Sequence, residues 1–190
     1  LVMAVALTLI IGGIIGGSVA WLTAKTDPVV NTFTVGDINI ELKESGTTTV
    51  NGKETKSYTV TPGVDLTKDP KVKVMKDSEA CWLFVKVEAQ NWPTLHDNDG
   101  NKLIDYRIAS DWTQVEVIGN VYYKKLDATK SDTEYQILSG ENGGKVTVSD
   151  KLTKEMLKDL DKNFTLTFTA YAIQQDGFTT AEAAWAEVSK

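Results

Sequence analysis

Short runs in which apolar and polar residues alternate, each closed by glycine, proline or asparagine, recur along the chain from residue 32 to residue 172. A strand sends successive side chains to opposite faces, so each run has one face for a core and one for water. Residues 164–172 are the clearest case. Phe164, Leu166 and Phe168 share one parity; Thr165, Thr167 and Thr169 share the other. In residues 82–89, Leu83, Val85, Val87 and Ala89 point one way and Lys86 and Glu88 the other. In residues 32–42 the apolar parity changes, from Phe33 and Val35 to Ile38, Ile40 and Leu42. The change falls at Gly36-Asp37 and predicts a bulge or bend. Residues 56–60 alternate weakly up to a Pro62-Gly63 turn, and residues 71–75 alternate again. Residues 115–118 and 121–123 around Gly119-Asn120 predict a hairpin with a two-residue primed turn. Residues 135–138 and 145–148 predict short strands around Gly140, Gly143 and Gly144.

Two helices are expected among the strands. Ser149-Asp150 would cap residues 151–160, where Leu152, Met156, Leu157 and Leu160 fall near one face. Thr179 and Glu182 fit a capping box for residues 181–188. Many short strands separated by turns predict an all-β fold, a jelly roll or β-sandwich with one or two short helices. No internal repeat or long low-complexity linker divides residues 32–190, which are therefore expected to form one β-sandwich domain.

The 190 residues, 42% of them hydrophobic and 24% charged, suffice for one domain with a real core. The formal charge of −6 with no basic run repels phosphate backbones, so nucleic acid is not an expected partner. Cys81 is the single cysteine, so no intrachain disulfide can form. It opens the apolar run Cys81-Trp82-Leu83-Phe84-Val85, which favours a buried, inert thiol over an intermolecular bridge.

The N-terminus differs from everything after it. No charged residue precedes Lys25. An apolar stretch over residues 1–11, then Gly12, Gly13, Gly16 and Gly17, then Ser18-Val19-Ala20, matches a signal peptide more closely than a membrane-spanning helix. Ser18 and Ala20 supply the small residues at the −3 and −1 positions. Residues 1–20 are expected to be removed before Trp21; a retained anchor is the alternative. The basic n-region and an initial methionine are missing, so the sequence is expected to start inside a longer precursor.

A search for chemistry finds little. His96 is the only histidine, which excludes any zinc site built on two histidines. A Ser-His-Asp triad would have to use His96, and no Gly-x-Ser-x-Gly elbow is present. A Cys81–His96 dyad is disfavoured because apolar neighbours blunt a thiol. No phosphate-binding or dinucleotide motif occurs, and no catalytic residue or cofactor is expected. Asp97-Asn98-Asp99-Gly100-Asn101 offers oxygens of the kind calcium takes, with Asp97 and Asp99 as the candidate ligands. On the EF-hand template, however, the first ligand falls on Leu95 and the twelfth on Tyr106, so a plain turn is preferred. Trp82, Phe84, Trp92, Trp112, Tyr122 and Tyr123 are expected in the core rather than on a carbohydrate-binding face.

Gly16-Gly17-Ser18-Val19-Ala20-Trp21-Leu22-Thr23, followed by Asn31-Thr32-Phe33-Thr34-Val35-Gly36-Asp37-Ile38-Asn39-Ile40, resembles the TasA/camelysin family. Leu66-Thr67-Lys68-Asp69-Pro70, the run from Cys81 to Val87, and Ala172-Ile173-Gln174-Gln175-Asp176-Gly177-Phe178 extend the resemblance to the middle and end of the chain. It implies a jelly roll, export through a SipW-type signal peptidase, and a fibre subunit of the biofilm matrix or cell surface. It also implies head-to-tail self-assembly by donor-strand complementation; the association and ordering cost of such a contact makes an accessory matrix protein a second expected partner. The residues fit such a donor. Trp21, Leu22, Val29 and Val30 are apolar positions in residues 21–31, an extended segment without helical periodicity, and Pro28 would mark a hinge. Camelysin-type relatives have been called metallopeptidases; with no zinc motif here, that activity is not carried over. A monomeric surface adhesin or ligand-binding module remains the alternative to a fibre subunit.

Overall fold

Alternation becomes a strand wherever a neighbouring chain supplies the ladder. The computed structural model describes residues 36–50, 53–140, 144–158 and 163–190. The expected signal segment (residues 1–20), the donor segment (residues 21–31), the start of the first strand (residues 32–35), Gly143 and Leu160 lie outside the described residues. The class is all-β and antiparallel, as the sequence predicts. Twelve strands are described: β1 (Ile40–Lys43), β2 (Thr48–Val50), β3 (Lys53–Thr55), β4 (Leu66–Thr67), β5 (Lys71–Val74), β6 (Cys81–Gln90), β7 (Ile104–Tyr106), β8 (Thr113–Gln114), β9 (Val121–Leu126), β10 (Thr133–Gln136), β11 (Lys145–Val148) and β12 (Thr165–Gln174). Two helices, α1 (Lys154–Lys158) and α2 (Ala181–Val188), accompany them.

The largest sheet has the order β12-β6-β9-β8. In it β6 and β12 pair over their full ten-residue lengths, from Thr165 opposite Gln90 to Gln174 opposite Cys81. Two three-stranded sheets, β1-β5-β10 and β4-β11-β7, share one extended run of chain, because β4 and β5 are its two halves. The halves are separated at Lys68–Asp69–Pro70. An Ile108–Leu138 bridge ties the two small sheets together again. Among the described residues β2 and β3 pair in a ladder of their own.

The main core lies between the large sheet and β1-β5-β10. Leu83, Val85 and Val87 of β6 meet Val72 and Val74 of β5, with Trp112 and Ile137 closing the ends. Trp112 Nε1 donates to the Gln136 carbonyl at 2.7 Å, so its polar atom is satisfied. A second cluster, Leu103, Ile104, Val146, Val148 and Leu152, lies under β7 and β11. A third sits on the opposite face of β6. Here Trp82 and Phe84 are covered by Ala181, Ala184 and Trp185 of α2. The Trp185 ring lies 5.5 Å from Phe84 and 5.0 Å from Tyr171. This corrects the one-faced reading of β6: both of its faces are buried from Cys81 to Val85, as its unbroken apolar run allows.

Other local expectations shift by a few residues. Residues 56–60 keep alternating burial but join no ladder. The Pro62-Gly63 turn forms as expected: Thr61 bridges Val64, and Gly63 takes φ +76, the left-handed conformation its position needs. The β8–β9 hairpin has a longer connection than a two-residue turn. Val115 N–H donates to the Val121 carbonyl at 2.8 Å, and the Ile118 and Gly119 N–H groups fold back on the Val115 carbonyl, leaving Val117 86% exposed. Thr153, not Ser149-Asp150, caps α1 by accepting from Met156 N–H. Thr180, not Thr179, caps α2 by accepting from Ala183 N–H.

Candidate functional site

β12 is the outermost strand of the large sheet, and among the described residues it has a ladder partner on one side only. Opposite its first half, the facing layer divides at Lys68–Asp69–Pro70. Between them runs a groove of about 1130 Å³. Its walls carry Leu42, Val60, Leu66, Phe164, Leu166 and Phe168. All six are half-buried, whereas their neighbours Val72, Leu83 and Val85 are wholly covered. Trp92 stands at one end, edge-on to Tyr106 at 5.0 Å and to Phe164 at 5.3 Å. Its buried Nε1 has no acceptor among the described residues.

Exposed polar residues such as Thr55, Ser57, Asn163 and Thr167 also border the groove, and one largely buried polar cluster sits among the apolar walls. Lys68 Nζ lies 2.9 Å from Glu44 Oε2, with the two side chains only 11% and 12% exposed. The Tyr58 hydroxyl donates to Glu44 Oε1 at 2.5 Å. Burial first, then the hydrogen bond and charge of Glu44, hold the Tyr58 phenol well above its ordinary pKa, so it stays a donor. The Lys68 ammonium also faces the rings of Tyr58 at 5.5 Å and Phe168 at 5.3 Å.

The backbone around Lys68 is tightly held. Lys68 N–H donates to the Gly144 carbonyl at 3.1 Å. A side chain at Gly144, which has φ +124, would bring its Cβ to 2.7 Å from the Lys68 carbonyl oxygen. Only glycine permits that approach. Asp69 accepts from the Ser45 hydroxyl at 2.9 and 2.8 Å, tying the end of β1 to this step. Pro70 is buried, and its carbonyl accepts from Ile137 N–H as β5 begins.

The residues singled out from sequence fall elsewhere. Asp97 Oδ1 accepts from the N–H groups of Asp99 and Asn101, both at 2.9 Å, and Lys151 Nζ lies 2.7 Å from Asp97 Oδ2 and 3.3 Å from Asp99 Oδ2. Their carboxylates thus build a turn and hold a lysine. The Lys151 hydrogen bond first, then the Asn101 N–H, keep the Asp97 carboxyl well below its ordinary pKa. His96 Nδ1 lies 2.7 Å from the Thr94 carbonyl beside that turn. Cys81 is buried, and burial pushes its thiol up to about 11. No group of three or more His, Cys, Asp and Glu gathers among the described residues. Ser18, Ala20, Trp21, Leu22, Val29 and Val30 lie outside the described residues. Glu44, Tyr58 and Lys68 were not legible as a cluster from spacing alone. The signals that existed were the Lys68-Asp69-Pro70 step and the alternation of residues 56–60.

Comparison of the chain with protein-family models, with curated proteins and with solved structures finds no match.

Proposed function

We propose that the chain is an exported structural subunit of an extracellular or cell-surface protein fibre, of the biofilm-matrix kind that the TasA/camelysin resemblance implies. In this reading residues 21–30 of one subunit lie as a donor strand in the groove beside β12 of the next. The observation that carries the reading is that groove: a strand edge with no ladder partner among the described residues, flanked by half-buried apolar side chains. Such an edge exposes ladder groups and apolar surface that an added strand satisfies. Successive strands pass repeatedly between the large sheet and the smaller ones, which supports the jelly-roll form of the β-sandwich. A head-to-tail contact of this kind does not close on itself and so propagates.

The test is deletion of residues 21–30 from the exported chain. The domain keeps its β-sheet circular dichroism but forms no filaments by electron microscopy, and a peptide of residues 21–30 binds it. Filaments that form equally well without the segment end the reading. Saturable glycan binding by a chain that stays monomeric would favour the adhesin alternative, for which the half-buried aromatic rings of Trp92, Phe164 and Phe168 in the groove speak.

A further inference from the structure

Resting on the fibre-subunit reading, we propose that Glu44, Tyr58 and Lys68 are a register lock, which seats an incoming copy of residues 22–30 with Thr26 over the Lys68 ammonium. An edge strand presents one parity to the core and the other to water. In residues 22–30 the even parity reads Leu22, Ala24, Thr26, Pro28, Val30, and the odd parity between them reads Thr23, Lys25, Asp27, Val29. The even parity holds four apolar residues with its one hydrogen-bonding side chain at the centre, whereas the odd parity carries both charges; in this register Val29, like Trp21 before the segment, falls on the outward parity. The less exposed part of the groove has a related pattern: apolar walls around one ion-paired cluster, with Thr47, Lys56 and Thr169 as the other half-buried polar residues along it.

The cluster has donors to spare. Both Glu44 carboxylate oxygens are engaged, one by Tyr58 and one by Lys68. The Lys68 ammonium carries three N–H donors. Glu44 takes one, and among the described residues no second oxygen accepts from it. The Thr26 hydroxyl is an acceptor of the right size at the right position. A slip of two residues puts Ala24 or Pro28 over the ammonium, and neither side chain can accept. A slip of one turns Lys25 and Asp27 into the apolar walls. Pro28 fits the same register. Alternate residues of a strand direct their N–H groups to opposite sides, so when the odd-numbered residues pair with β12, the missing N–H of Pro28 lies on the new free edge. There it blocks addition of a further strand.

The experiment is disulfide trapping in the full chain. Thr167→Cys, on the outward parity of β12, is combined in turn with Thr23→Cys, Lys25→Cys and Asp27→Cys. Intermolecular ladders are then read on non-reducing gels beside electron micrographs. One of the three pairs is expected to dominate by at least about tenfold, the ratio that one hydrogen bond to a charged group produces. Lys68→Met is expected to spread the cross-links over all three pairs while filaments persist. Thr26→Val is expected to do the same from the donor side, which covers the case where Lys68→Met fails to fold. Equal cross-linking of the three pairs, or a preference unchanged by Thr26→Val, overturns the lock and leaves the donor-strand reading standing. Neither ladders nor filaments removes the donor-strand reading and the lock with it. Cross-links confined within single chains overturn assembly between copies.

Discussion

β6 and β12 are the same length and run side by side in full register, yet they end in different states. β6 is central, and Cys81 through Val85 and Val87 are all buried. Among the described strands β12 is at the edge, and none of its ten residues is buried, although Leu166, Phe168, Ala170, Tyr171, Ala172 and Ile173 are apolar. The difference is one of neighbours. β6 has β9 on its other side, whereas α2 lies across the shared face of both strands, against Phe84 and Tyr171. β12 has a groove beside its first half. Residues equally suited to a core are finished in one strand and unfinished in the other.

The largest expected effect separates the two strands by stability. Phe84→Ala, wholly inside, should cost about 3–5 kcal/mol in urea denaturation. Phe168→Ala, half-buried, should cost only about 1–2 kcal/mol because part of its surface already meets water. Equal losses would mean that the groove is as closed as the core. Next comes the polar cluster. Removing one member of a buried ion pair strands the other charge, so Lys68→Met alone should cost about 3 kcal/mol. Glu44→Leu with Lys68→Met should recover most of that loss, since apolar pairs of similar volume replace such bridges without penalty. A double variant as unstable as the single would show that the pair supports the fold rather than the groove's selectivity.

A smaller effect lies outside both strands. The folded pKa of Asp97 is depressed, so its contribution is fully present above the ordinary aspartate range and fades only as pH falls through the lower folded value. The stability gap between wild type and Asp97→Asn should therefore be constant near neutrality and shrink only below about pH 4. A gap that grows with acid contradicts the turn. The smallest effect is at the start of β6. With the Cys81 thiol pushed up to about 11, a thiol reagent at pH 8 should label the native chain slowly and the urea-unfolded chain at once. Rapid native labelling would show that this end of β6 is open.

Much of this contrast was written in alternation, but not all. The parity of residues 164–172 and the apolar run from Cys81 to Val85 announced both long strands. That run carried Trp82 and Phe84 on the second face as well, the mark of a strand covered twice, and only α2 in place explains its cover. Two-residue strands such as β4 and β8 have no period to read. The Pro62-Gly63 turn was legible because its geometry is local, whereas the β8–β9 connection depends on Val115 bonding across to Val121. The Glu44–Lys68 pair spans 24 positions. No spacing rule joins such residues; they meet because Gly144 lets β11 close on the Lys68 backbone and Ser45 ties Asp69 to the end of β1.

The central claim is that the first half of β12 is an acceptor edge for residues 21–30. Amide hydrogen exchange over residues 165–169 tests it most directly, comparing monomer with assembled chain. The amides that face away from β6 should exchange rapidly in the monomer and become protected on assembly, while those of Leu83 to Val85 are protected in both. Assembly that leaves residues 165–169 exchanging as fast as before would contradict the account.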